Sequence, residues 1–269
     1  MVSVLSSPAK SPRRVPRTWK TLMAIDRAVV GLSGKLQVSG GVAAGLRDRA
    51  VLLAPNHIGN FDPMVLTAAC RELGLAPAFL LTAGILDTPV VGHAMRASGH
   101  LRVDRRKQSI KDAFDVAIER LRSSPGPVVC YPEGRIGLDP GLWPERGKTG
   151  VARMALAADV PVIPVAQWGA HEAMIWGCDI VTSFRDVTPI MRSFASSMLR
   201  RPSFKVHFGE PVDLSGLRDG RAGDARRAHE RIMRAIVRDL VPLRQAEPDA
   251  PRFRDPSRPT TVVSPWRPE

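Results

Sequence analysis

The sequence predicts an α/β protein, a central β-sheet flanked by helices. Beyond residue 50, short apolar or β-branched runs alternate with longer segments of helical periodicity. The chain has 269 residues and a 44% hydrophobic fraction, enough to bury a sizeable core in one large domain. Several strand-like runs also stop abruptly at Pro, Gly or charged residues, the punctuation of chain leaving a sheet.

Residues 1–16 are rich in Ser, Pro and Arg and read as a disordered basic arm. Residues 17–40 read as an N-terminal amphipathic helical element. Trp19, Leu22, Ile25, Val29, Leu32 and Leu36 recur there at steps of three or four, with Gly31 and Gly34 placed to split the helix. Two fates stay open for this stripe: packing on the body of the protein, or lying in a membrane interface beside Arg13, Arg14, Arg17 and Lys20. Residues 41–244 form the main domain. Its expected strands are 50–55, 77–82, 100–103, 127–131, 161–167 and 203–209, and its expected helices 63–73, 88–97, 108–122, 151–158 and 222–241. The helix at 108–122 turns Ile110, Phe114, Ala117, Ile118 and Leu121 to the core, and Ile232, Ile236, Val237 and Leu240 give 222–241 its apolar side. Pro161 and Pro164 suggest that 161–167 is an edge or irregular strand, because proline donates nothing to a ladder. The segment 170–202 reads as loop with short helices. Residues 245–269, rich in Pro and Arg and poor in large apolar residues, read as a disordered tail.

A formal charge of +13 implies acidic partners: nucleic acid, an anionic membrane or a phosphorylated substrate. An aromatic content of 5% and the lack of any recognised motif argue against nucleic acid. Cys70, Cys130 and Cys178 form no C-x-x-C pair, so neither a disulfide framework nor a zinc ribbon is indicated. The remaining histidines make no ligand cluster, and no metal is expected. No apolar run is long enough to span a bilayer, and Asp26 and Arg27 interrupt what would otherwise mimic a signal sequence.

The chemistry concentrates at Asn56-His57-Ile58-Gly59-Asn60-Phe61-Asp62, directly after an apolar strand. A continuous helix would set His57 and Asp62 roughly 140° apart. They meet if His57 ends a strand, Gly59-Asn60 turns, and Asp62-Pro63 opens a helix with the aspartate as its cap. A histidine oriented by a carboxylate is a general base. Three further runs end in punctuation: 99–105, which delivers Arg105; 128–135, which delivers Glu133, Gly134 and Arg135; and 160–165. Ligands of open α/β sheets sit beyond the carboxyl ends of the strands, so the first two runs and the histidine pair are placed to converge. Gly147-Lys148-Thr149 invites a P-loop reading, but the required glycine position holds Leu142.

Four blocks in order, N-H-x4-D at 56–62, G-x-x-x-V-D-R at 99–105, P-E-G at 132–134 and V-P-V-I-P-V at 160–165, resemble the glycerolipid acyltransferase family, the lysophosphatidic acid acyltransferases and their relatives. The resemblance implies a mixed central sheet of the glycerol-3-phosphate acyltransferase type. It implies acyl transfer from an acyl-CoA or acyl-carrier-protein co-substrate to the sn-2 hydroxyl of 1-acylglycerol-3-phosphate, with no further cofactor. His57 would be the base and Asp62 its orienter, while Asn56, Arg105, Glu133, Gly134, Arg135 and Lys148 fall on the acceptor-binding side. The family usually reads E-G-T-R where this chain has Glu133-Gly134-Arg135-Ile136, which opens the acceptor to another lysophospholipid, a glycolipid or an ornithine lipid. The expected setting is the inner face of the cell membrane, bound peripherally through its anionic lipids.

Overall fold

A computed structural model of the chain describes residues 15–82, 86–87, 89–103, 109–177 and 184–268. The expected basic arm therefore lies outside the described residues apart from its last two positions, and Arg105 and Cys178 lie outside them too.

Among the described residues, seven strands form one mixed sheet in the order β1-β7-β6-β2-β5-β3-β4. They are β1 Lys35–Gly40, β2 Ala50–Pro55, β3 Ala78–Thr82, β4 Leu101–Val103, β5 Gly126–Val129, β6 Val162–Trp168 and β7 Ser203–Phe208. All neighbouring pairs run parallel except β6 with β7. The helices are α1 Arg17–Ser33, α2 Asp62–Glu72, α3 Pro89–Ala97, α4 Ser109–Ser123, α5 Gly150–Ala158, α6 Phe184–Arg200 and α7 Asp224–Leu243.

Strand pleating divides the core in two. Val51 and Leu53 of β2 point into a cluster with Trp19, Met23 and Val30 of α1 and Val65, Leu66 and Ala69 of α2. Leu52 and Ala54 point the other way, against Ala117 and Leu121 of α4, Met154 of α5 and Ile232 and Ile236 of α7. Because both faces are covered, β2 reads as a continuous apolar run. Each such Leu, Ile or Val contributes about 1.5–3 kcal/mol by leaving water.

The structure departs from the sequence expectations in four places. The helical element expected at 17–40 stops at Ser33, and Lys35–Gly40 is an edge strand in register with β7. Its alternation of polar Lys35, Gln37 and Ser39 with half-buried Leu36 and Val38 is a period of two, hidden behind the helical stripe. β6 lies inside the sheet rather than at its edge. Pro164 is tolerated because its carbonyl side faces Gly209, where β7 has already ended, and the β6–β7 ladder begins only at Val165. The segment expected to be loop holds the 17-residue helix α6.

The fourth departure is the C-terminal tail. Residues 245–268 form no helix or strand, yet they are laid back across the loop at 137–145. Ser264 donates its amide to Asp139 Oδ2 at 2.8 Å, and Trp266 donates Nε1–H to the Glu145 carbonyl at 3.0 Å. Buried Arg244, stacked between Trp143 at 3.8 Å and Trp168 at 4.2 Å, fixes where the tail departs. Polar contacts with distant residues, together with the packing of Trp266 on the core, hold this segment.

Candidate active site

The site forms where β2 and β5, parallel neighbours, release their chains at the same end of the sheet. His57 follows β2 by two residues, and the turn of 58–61 leads into α2 at Asp62. The His57 Nδ1–H donates to Asp62 Oδ2 at 2.8 Å. The same oxygen accepts the amides of Ile58 at 2.5 Å and Gly59 at 2.9 Å. Asp62 thus does not cap its own helix, as the sequence suggested; Phe61 is the cap residue, and the carboxylate turns back on the loop before it. Three donors converge on one oxygen of this fully buried side chain, and the Nδ1–H bond fixes the imidazole tautomer. Nε2 keeps its lone pair, and the side chain remains 15% exposed to incoming substrate.

The ring is clamped by more than Asp62. Tyr131 stacks on it, with centroids 4.1 Å apart and planes 26° from parallel. The His57 amide donates to Glu133 Oε1 at 2.7 Å, and its carbonyl accepts the Gly137 amide at 2.9 Å. Glu133 Oε2 accepts the Glu145 amide at 2.8 Å. Burial pushes the Glu133 carboxyl up to about 8, against the pull of these two N–H donors. Glu145 in turn accepts the Leu138 amide at 2.7 Å and the Arg135 guanidinium at 2.8 Å.

This geometry sorts the candidate residues. Asn56 and Glu133 are buried and brace the loop. The buried Asn56 amide exchanges hydrogen bonds with the Gln167 backbone at 2.7 and 3.1 Å, extending the β2–β6 junction past the ladder. Gly134, at a positive φ of 69°, makes the exposed turn that sets Arg135 outward, and the Lys148 side chain lies against it. Arg135 and Lys148 are both exposed near the loop of Glu133, so the structure brings them to the same side as His57's brace. Sequence reasoning missed Tyr131, Glu145 and Arg258. The first two lie in or near the P-E-G block, but Arg258, 200 positions after Ile58, carries no local signal. Its guanidinium donates to the carbonyls of Ile58 and Gly137. Beside it a cleft of about 560 Å³ opens between the tail and the loop, lined by Ile58, Gly59, His171, Trp176, Phe253 and Arg258 among others.

A family model described as Acyltransferase matches residues 36–168. An uncharacterized protein of Mycobacterium tuberculosis is 27% identical over 189 residues, covering 62% of this chain and 49% of its own length. A glycerol-3-phosphate acyltransferase of Pseudomonas putida is 24% identical over 192 residues, 66% of this chain and 23% of that protein. The chain thus spans about half the length of the first and about a quarter of the second. The crystal structure of the 1-acyl-sn-glycerophosphate (LPA) acyltransferase PlsC of Thermotoga maritima superposes with a TM-score of 0.57 at 20% identity, covering 81% of this chain and 78% of that one. On these findings the chain carries an acyltransferase domain at residues 36–168 and has a PlsC-like fold.

Proposed function

We propose that the protein transfers a fatty acyl group from a coenzyme A or acyl-carrier-protein thioester to the sn-2 hydroxyl of 1-acylglycerol-3-phosphate, with His57 as general base. The observation that carries this reading is the 2.8 Å contact of His57 Nδ1 with a fully buried Asp62, which leaves Nε2 as a base reachable from outside. Nε2 takes the hydroxyl proton as the alcohol oxygen attacks the thioester carbonyl. Asp62 stabilises the resulting imidazolium, and the tetrahedral intermediate collapses by breaking the C–S bond. The imidazolium then returns the proton to the departing thiolate. No cofactor enters this sequence.

The relative named for glycerol-3-phosphate acylation supports a phosphorylated glycerol acceptor. Arg135, Lys148 and Arg105 are the cations proposed to meet its phosphate. An anionic membrane is the proposed platform. Among the described residues no helix is long and apolar enough to cross a membrane. Helices α1 and α6 pack together and leave Ile25, Leu32, Met191, Met198 and Leu199 exposed. With a net charge of +13, such a surface suits shallow insertion among anionic headgroups.

The test is acyl transfer by pure protein from labelled acyl-CoA to a panel of lysophosphatidate, other lysophospholipids, glycolipid and ornithine-lipid acceptors. Transfer to lysophosphatidate in preference to the others is expected. Turnover of non-phosphorylated acceptors alone would keep the mechanism and overturn the substrate.

A further inference from the structure

We infer that Arg258, in the C-terminal tail, is a positioning residue that locks the His57 loop in its working geometry. The His57 amide goes to Glu133 and its carbonyl to Gly137, and the amides of Ile58 and Gly59 go to Asp62. The Ile58 carbonyl is held by Arg258, which also holds the Gly137 carbonyl through its second terminal nitrogen. One planar guanidinium therefore bridges the two loops that contact His57, a reach that suits arginine and not lysine.

Three further observations support the assignment. Arg258 is half-buried, and burial lowers its pKa while the nearby Asp62, Asp255, Glu133 and Asp139 raise it. Its charge thus sits in the field of Asp62, which holds His57. The tail is fixed just before it, since Asp255 accepts the Trp176 amide and the Ser257 hydroxyl oxygen accepts the Gly177 amide at 3.1 Å. Further on, Ser264 and Trp266 hold the tail to the 139–145 loop. Arg258 touches no part of the imidazole; it acts through the backbone on which the imidazole stands.

The inference rests on the proposed acyl transfer only for its rate readout, so two measurements are paired. Amide hydrogen exchange of wild type, R258A and R258K is followed at residues 57–62 and 134–138. Steady-state acyl transfer by the same proteins is measured with and without millimolar guanidinium. In R258A, exchange should quicken in those two segments while β2 and β6 stay protected. The kcat should fall about ten- to a hundredfold with KM little changed, as expected for a misplaced base. Guanidinium should restore part of the rate and part of the protection, and R258K should lie between R258A and wild type. Unchanged exchange in the two segments would overturn the assignment, whatever the rate does. So would a loss of protection spread over the whole sheet without rescue, which marks a general structural role. If wild type transfers acyl groups to no acceptor, the proposed reaction fails while the exchange result still decides the role of Arg258.

Discussion

Asp62 Oδ2 has three donors, so replacing it removes more than a charge. Asp62→Asn should cut kcat by up to ~10⁴-fold by freeing the imidazole tautomer. It should also lower stability by about 1–3 kcal/mol, because the amide oxygen can replace Oδ2 but the NH2 is then buried at the Oδ1 position, which has no hydrogen-bond partner; kinetics and urea unfolding on one preparation separate the two effects. Glu133 makes a different prediction. Its carboxyl, raised to about 8 by burial, keeps its proton in the folded chain, while the unfolded chain loses it near the ordinary value of 4.5. The folded state therefore binds the extra proton between those values, and its contribution to stability falls as pH rises through about 8. Asp26, also raised to about 8, acts in the same direction, whereas His171, lowered to about 3, makes stability rise with pH below 6.5. The difference in stability between wild type and Glu133→Gln, measured from pH 5 to pH 9, isolates Glu133. That difference should move against wild type as pH rises; a flat difference would show that Glu133 does not hold its proton. The His57–Asp62 pairing was legible from spacing and turn residues. The bracing roles of Asn56 and Glu133 were not, because a buried side chain facing distant backbone looks in sequence like one facing a ligand.

Two loops, 56–61 and 133–145, carry the site, and their close approach depends on a glycine. A Cβ on Gly137 would stand 2.9 Å from Glu133 Oε2 and 3.5 Å from the His57 carbonyl. That carboxyl group is held at both oxygens and has little room to yield. Gly137→Ala should therefore cost about 1–3 kcal/mol by overpacking and reduce kcat more than it raises KM; thermal unfolding and initial rates check both. Strands and helices with a strong period were legible, and β2 through β7 fall close to their expected ranges. β1 was not, since Leu36 also completes the helical spacing of the stripe that becomes α1. That stripe itself divides: Trp19 is buried and Leu22 and Val29 half-buried, while Ile25 and Leu32 face outward. The central place of β6 was illegible because proline's cost depends on which neighbour its nitrogen faces.

At the scale of the molecule, positive charge and exposed apolar side chains on α1 and α6 together suggest a membrane-facing side. Vesicles containing anionic lipid should float the protein, salt should weaken this, and the double change Ile25→Asp and Leu32→Asp should weaken it further. Equal flotation with neutral vesicles would remove the electrostatic part. The tail shows most plainly what sequence withheld. Its composition resembles disorder, but Arg258, Ser264 and Trp266 find partners more than a hundred positions away, which no local pattern encodes. Acyl transfer through a base at His57 remains the centre of the proposed mechanism. Its most direct test is the initial rate of acyl transfer to lysophosphatidate by wild type and His57→Ala, each verified to be folded. A loss of about 10²–10⁴-fold in kcat is expected for removing the base, whereas equal rates would contradict it.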